Sequence, residues 1–180
     1  MPIYIALLRG INVSGQKLIR MEAFRATFAT LGFHQVKTYV QSGNVVFEAA
    51  TTPPAKLAGQ IERQILADFS FEVPVLVKTA TELAQVAGGN PLAKTPGIDA
   101  ARLHVTFLSD RAPAGATSKL QPLAAASEQF QVLGREIYLY FPEGYGNTKL
   151  SNQAIEKKLG VKATTRNWKT VNALLAMVQA

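Results

Sequence analysis

The chain has 180 residues, 48% of them apolar and 17% charged, with no cysteine and a net charge of +7. That balance excludes a disordered chain, a disulfide scaffold and any thiolate or Cys-based metal chemistry, and it points to a reducing, cytoplasmic compartment. Residues 1–50 carry five Lys/Arg against two Asp/Glu and residues 134–180 carry seven against three, whereas 51–133 is balanced, so the excess lies at the two ends. This suits an anionic partner, although a merely basic surface has the same signature.

The opening run IYIALL (3–8) is short, has no basic region before it and ends at Arg9; it is expected to be a buried strand rather than a signal peptide or membrane span. A polar, glycine-containing loop follows. Met21, Phe24, Phe28 and Leu31 then recur at helical spacing up to Gly32. VKTYV (36–40) and VVF (45–47) flank QSGN as a hairpin. TTPP opens a second helix with Leu57, Ile61 and Ile65 on its buried face, and VPVLV (73–77) is a fourth strand. The order βαββαβ is the ferredoxin-like, alpha-beta plait unit.

Thr79 and Glu82 have capping-box spacing ahead of a short helix that ends at Gly88 and Gly89. Residues 89–102 are loop-rich and read as a linker between a first unit, 1–88, and a second, 103–180. The second repeats the pattern: strand LHVTFL (103–108), a short helix over 116–125 disturbed at Pro122, and a hairpin of FQVL and IYLYF turned at Gly134. A helix over about 151–159, a strand at 161–165 and a terminal helix with Val171, Leu174, Leu175 and Val178 on one face complete it. The fold class is therefore α+β, with two ferredoxin-like units in tandem and a C-terminal helix.

Strand direction in such a unit decides which loops share an end of the sheet. In the second unit PEGYGNTK (142–149) and TRNWK (165–169) arrive at the same end, making Lys149, Arg166, Asn167 and Lys169 expected neighbours. Arg166 and Lys169 flank a helix start, where cations are disfavoured by roughly 0.3–1 kcal/mol each. Backbone N–H groups, capping by Ser151 or Asn152 and by Asn167, and these cations suit phosphate or carboxylate. The ordinary alternative is that both cations reach into water while Trp168 covers the core and Asn167 caps. In the first unit the loop 9–17, with Arg9, Asn12 and Lys17, shares an end with the QSGN turn, which carries Ser42 and Asn44.

GINVSGQK (10–17) has the GxxxxG spacing of a phosphate-binding loop, but Gln16 stands where lysine belongs and Leu18 where a hydroxyl is needed, which argues against NTP hydrolysis. His34 and His104 have no partner at metal-ligand spacing, so no metal is expected. Glu143 and Glu156 flank the basic loop as possible general bases, and surface carboxylates are usually just solvated. Tyr138 and Tyr140 share a strand face as in RNA-binding plaits, without the basic-aromatic signature of that class.

LLRGINVSG, LGFHQVKTYVQSGNVVF and GYGNTKLSNQAIEKKLGVKATTRNWKTV together resemble the bacterial family called domain of unknown function 1697, over essentially the whole chain. The family-type positions are Arg9, Gly10, Asn12, Ser42, Gly43, Asn44, Lys149, Asn152, Arg166, Asn167 and Trp168; Ser14 and Asn147 depart from it, where glycine and a basic residue are frequent. The resemblance implies paired ferredoxin-like units and no established activity, substrate or cofactor. The expectation is a cofactor-free protein that binds an anionic small molecule, such as a nucleotide, or nucleic acid. Arg9, Asn12, Lys17, Ser42, Asn44, Lys149, Asn152, Arg166, Asn167, Trp168 and Lys169 are the candidate binding residues, with no catalytic group assigned. The alternatives are an enzyme for a phosphorylated or carboxylated metabolite and a protein-interaction module.

Overall fold

A computed structural model describes residues 1–40 and 43–180, and within them the chain forms two four-stranded antiparallel sheets and six α-helices. Contacts divide it into one unit of Met1–Gln85 with Ala173–Ala180 and another of Val86–Asn172. Among the described residues no helix is long and apolar enough to cross a membrane.

In the first unit β1 (Ile3–Leu8), β2 (His34–Tyr39), β3 (Asn44–Glu48) and β4 (Val75–Thr79) are ordered β2-β3-β1-β4. Helices α1 (Met21–Thr30) and α2 (Pro54–Phe69) cover one face. Alternation explains the choice of face: Tyr4, Ala6 and Leu8 of β1 and Val45 and Phe47 of β3 point into one cluster with Phe24, Phe28, Leu57, Ile61 and Ile65. The Phe47 ring is the centre of it, stacked on Phe33 at 4.6 Å and edge-on to Phe28 at 5.5 Å. α1 stops at Gly32, whose φ of +81° lets its N–H reach the carbonyl of Ala29. Pro54 opens α2, where a missing N–H costs nothing.

α3 (Ala80–Gly88) begins on a reciprocal cap: Thr79 N–H donates to Glu82 Oε2 at 2.9 Å, and Glu82 N–H donates to Thr79 Oγ1 at 3.1 Å. In the second unit β5 (Leu103–Leu108), β6 (Gln129–Leu133), β7 (Glu136–Tyr140) and β8 (Ala163–Asn167) are ordered β6-β7-β5-β8. Helices α4 (Ala116–Leu120) and α5 (Asn152–Leu159) bury Leu120, Ile155 and Leu159 against Leu108, Ile137, Leu139 and Ala163. The other sheet face holds Leu103, Val105, Phe107 and Tyr138, all buried, and the Tyr138 hydroxyl donates to the carbonyl of Val86 at 3.0 Å. Tyr138 is therefore no open platform for a base, unlike the sheet tyrosines of RNA-binding plaits.

The two-residue turn Gly134-Arg135 that joins β6 to β7 is itself held, since Ala112 N–H donates to the Gly134 carbonyl and Leu108 N–H to that of Arg135, both at 2.8 Å. α6 (Trp168–Gln179) follows β8 without an intervening loop, capped by Asn167, whose Oδ1 accepts from Thr170 N–H at 2.8 Å.

Candidate functional site

The site expected in the second unit is built at the end of the sheet where β5 begins. Tyr140, the last residue of β7, pairs with Leu103, and Asn167, the last of β8, pairs with His104. Both strands thus deliver their following segments, 141–149 and the start of α6, to one place. The row Arg166–Val105–Tyr138 lies on one face and the row Asn167–His104–Leu139 on the other.

Asn152, first residue of α5, is drawn in by a hydroxyl chain. The hydroxyls of Thr106 and Thr165 are 2.6 Å apart, and Thr165 donates to Asn152 Oδ1 at 2.7 Å, so Thr106 is the donor to Thr165. Thr106 is fully buried, and this bond satisfies its hydroxyl proton. Ser151 caps α5, its Oγ accepting from Ala154 N–H at 3.2 Å. Of the two cap candidates for α5, Ser151 caps and Asn152 ties the helix to β8.

Arg166 is half-buried. Burial pulls its guanidinium down to about 10, against the opposing effect of the Tyr145 hydroxyl, which places loop residue Tyr145 within electrostatic reach of Arg166. Arg166 Nη1 also donates to the carbonyl of Thr165 at 3.0 Å. Tyr145 in turn stacks on His104 at 5.3 Å and keeps part of its own surface open. His104 leans equally on Phe141 at 5.3 Å, and its Nδ1 is buried with no hydrogen-bond partner. Burial pushes the imidazole below its ordinary value, outweighing the raising effect of the Arg102 backbone, so His104 is neutral near pH 7. Arg102 reaches the same loop, with Nη1 lying 3.2 Å from where a Cβ on Gly144 would stand.

Lys149 and Lys169 flank this core as exposed cations, one at the end of the loop and one in the first turn of α6. Trp168 is half-buried, and its carbonyl accepts from Asn172 Nδ2 at 2.8 Å. Glu156 is not beside the basic loop: its carboxylate accepts from Ala163 N–H at 3.0 Å, and Ala163 pairs with Leu108 at the opposite end of β5. No spacing in the sequence singles out Arg102 or Tyr145, and His104 stands out there only as a histidine without a partner at metal-ligand spacing. The one hint was an aromatic residue between glycines in GYGN.

In the first unit the loop after β1 and the β2–β3 turn do share an end, since Leu8 N–H donates to the Gly43 carbonyl at 2.8 Å. Asn12 braces the loop with both ends of its amide, Nδ2 donating to the Ile19 carbonyl at 3.1 Å and Oδ1 accepting from Ile19 N–H at 2.8 Å. Lys17 Nζ donates to the carbonyl of Glu72 at 2.6 Å. Arg9 is half-buried; Asn44 is fully buried and donates to the Tyr39 carbonyl at 3.1 Å. Gln41 and Ser42 lie outside the described residues. Among the described residues no three His, Asp or Glu side chains gather as metal ligands.

A family described as "Protein of unknown function" matches residues 1–138. No curated protein matches the chain. Among solved structures the chain is similar to the conserved bacterial protein SP0830 from Streptococcus pneumoniae, at 21% identity over 98% of each chain and a TM-score of 0.76. At that identity the likeness speaks for the fold.

Proposed function

The chain belongs to the DUF1697 family, defined without a function, and from that premise we propose that it binds an anionic ligand, with a nucleotide the best fit, at the end of the second sheet where β5 begins. The observation that carries this is the placement of the half-buried Arg166 guanidinium within electrostatic reach of a partly open aromatic ring, Tyr145, braced from behind by His104. A guanidinium is a planar, fork-shaped donor suited to phosphate or carboxylate, and an exposed ring face accepts a base. Lys149, Lys169 and Arg102 add field around the site, and Asn152 and Asn167 set the helix starts beside it. Arg9, Asn12, Lys17 and Asn44 belong to the first unit's polar cluster and are assigned no direct contact, and Ser42 lies outside the described residues. The accompanying fold reading, two ferredoxin-like units over 1–88 and 103–180, is supported by the strand orders β2-β3-β1-β4 and β6-β7-β5-β8.

The test is calorimetric titration of adenosine 5′-monophosphate, inorganic phosphate and a short single-stranded oligonucleotide into the parent and Arg166→Ala. Binding that weakens about tenfold or more in the variant supports the site. Binding undiminished in Arg166→Ala removes it. A steep fall of affinity with salt, seen only for the oligonucleotide, assigns the ligand to nucleic acid rather than a free nucleotide.

A further inference from the structure

Each sheet has two edges, and three of the four edge strands carry a device that discourages another strand from pairing with them. β2 has a bulge between His34 and Lys37, with Gln35 left-handed at φ +49°. β4 carries Lys78 and β8 carries Arg166. β6, QFQVL, has no charge, no proline and an unbroken register along β7. Proteins normally blunt such an edge, and an unblunted one is a template for a further strand.

The register says which groups the edge offers. Leu108 N–H bonds to Arg135 O and Phe141 N–H to Arg102 O, so the odd residues of β7 bond toward β5 and the even ones toward β6. Gln129, Gln131 and Leu133 therefore bond inward to Tyr140, Tyr138 and Glu136, leaving the N–H and C=O of Phe130 and Val132 directed outward.

We infer that the outer edge of β6 is a self-association surface on which β6 of a second copy lies antiparallel, centred on Gln131. The segment is complementary to itself. With Gln131 opposite Gln131, each Phe130 meets Val132 of the other copy as a hydrogen-bonded pair, giving four backbone bonds and two aromatic–β-branched contacts. Gln129 meets Leu133, whose side chain is 43% exposed in the single chain. Charge agrees with this register. Each Glu128 falls opposite Gly134 of the other copy, which lines a cleft of about 310 Å³ with Arg111, Pro113, Thr117 and Val132, and Arg135 stands next to it.

The experiment is sedimentation velocity of the full chain at concentrations up to about 500 μM, where weak self-association is populated, together with Gln131→Lys and Gln131→Glu. Gln131 is exposed, so both variants are expected to melt with the parent, which a thermal scan verifies. The expected result is twice the chain mass for the parent, dissociation strengthened about fivefold in each variant alone by like charges meeting at the centre, and recovery when the two variants are mixed. A parent that stays at the chain mass throughout, or variants that associate as the parent does and gain nothing on mixing, overturns the assignment.

Discussion

At Gly43 the backbone is left-handed, with φ +89°, and an added Cβ would stand 2.9 Å from both the Cβ and the carbonyl oxygen of Leu8. The obstruction is partly main chain, so it cannot swing aside. Gly43→Ala combines this clash with left-handed strain and is expected to cost about 3 kcal/mol, lowering the melting temperature by roughly 6–12 °C. Gly10→Ala, at φ +79° with nothing within 4 Å, bears the strain alone and is expected to cost about 1 kcal/mol. Equal losses in a pair of thermal melts would show that packing on Leu8 contributes nothing. At this same scale the sequence was legible where a residue acts on its near neighbours: Asn167 as a cap, Thr79 and Glu82 as reciprocal partners. Arg102, His104 and Tyr145 were not, because they meet through strand register and the fold-back of a loop, and no local spacing records either.

Elements were legible by kind, less so by limit. VPVLV reads as a strand from Val73, but β4 begins at Val75: Pro74 has no N–H for the ladder, and its carbonyl is taken by Arg9 N–H at 3.1 Å. β8 runs on to Asn167 instead of stopping at 165, since ATTRN lacks the apolar alternation that marks a strand and is held by pairing with β5. The helix beginnings allow a direct measurement. Ser151→Ala removes the oxygen that receives Ala154 N–H and should cost about 1 kcal/mol in a urea titration, with an unchanged m-value. A loss near zero would mean that the Thr106–Thr165–Asn152 chain alone holds the start of α5.

For the molecule as a whole, two groups at the end and middle of one sheet row oppose each other in alkali. Burial, with Glu136 assisting, holds the Tyr138 hydroxyl at about 12, above its ordinary 10.0. Between pH 10 and 12 the unfolded chain ionises this phenol and the folded one does not, so stability on the order of 2 kcal/mol is lost over that window. Arg166, lowered by burial to about 10, acts with the other sign: above pH 10 the folded chain sheds a proton that the unfolded chain keeps, and stability is gained. Tyr138→Phe deletes only the first effect. The variant should be the less stable at pH 7, by about 1 kcal/mol for the lost bond to the Val86 carbonyl, with the gap closing and then reversing as pH rises from 10 to 12. A gap that stays constant across that range refutes the assignment to Tyr138.

The two amides that grip the tip of the β6–β7 ribbon have a kinetic meaning as well. A hairpin fastened at its apex and along one flank has little freedom to curl, so its vacant rim is already straight before any visitor arrives. Docking there forfeits little conformational entropy, and its rate is governed by encounter and orientation, not by rearrangement of the host.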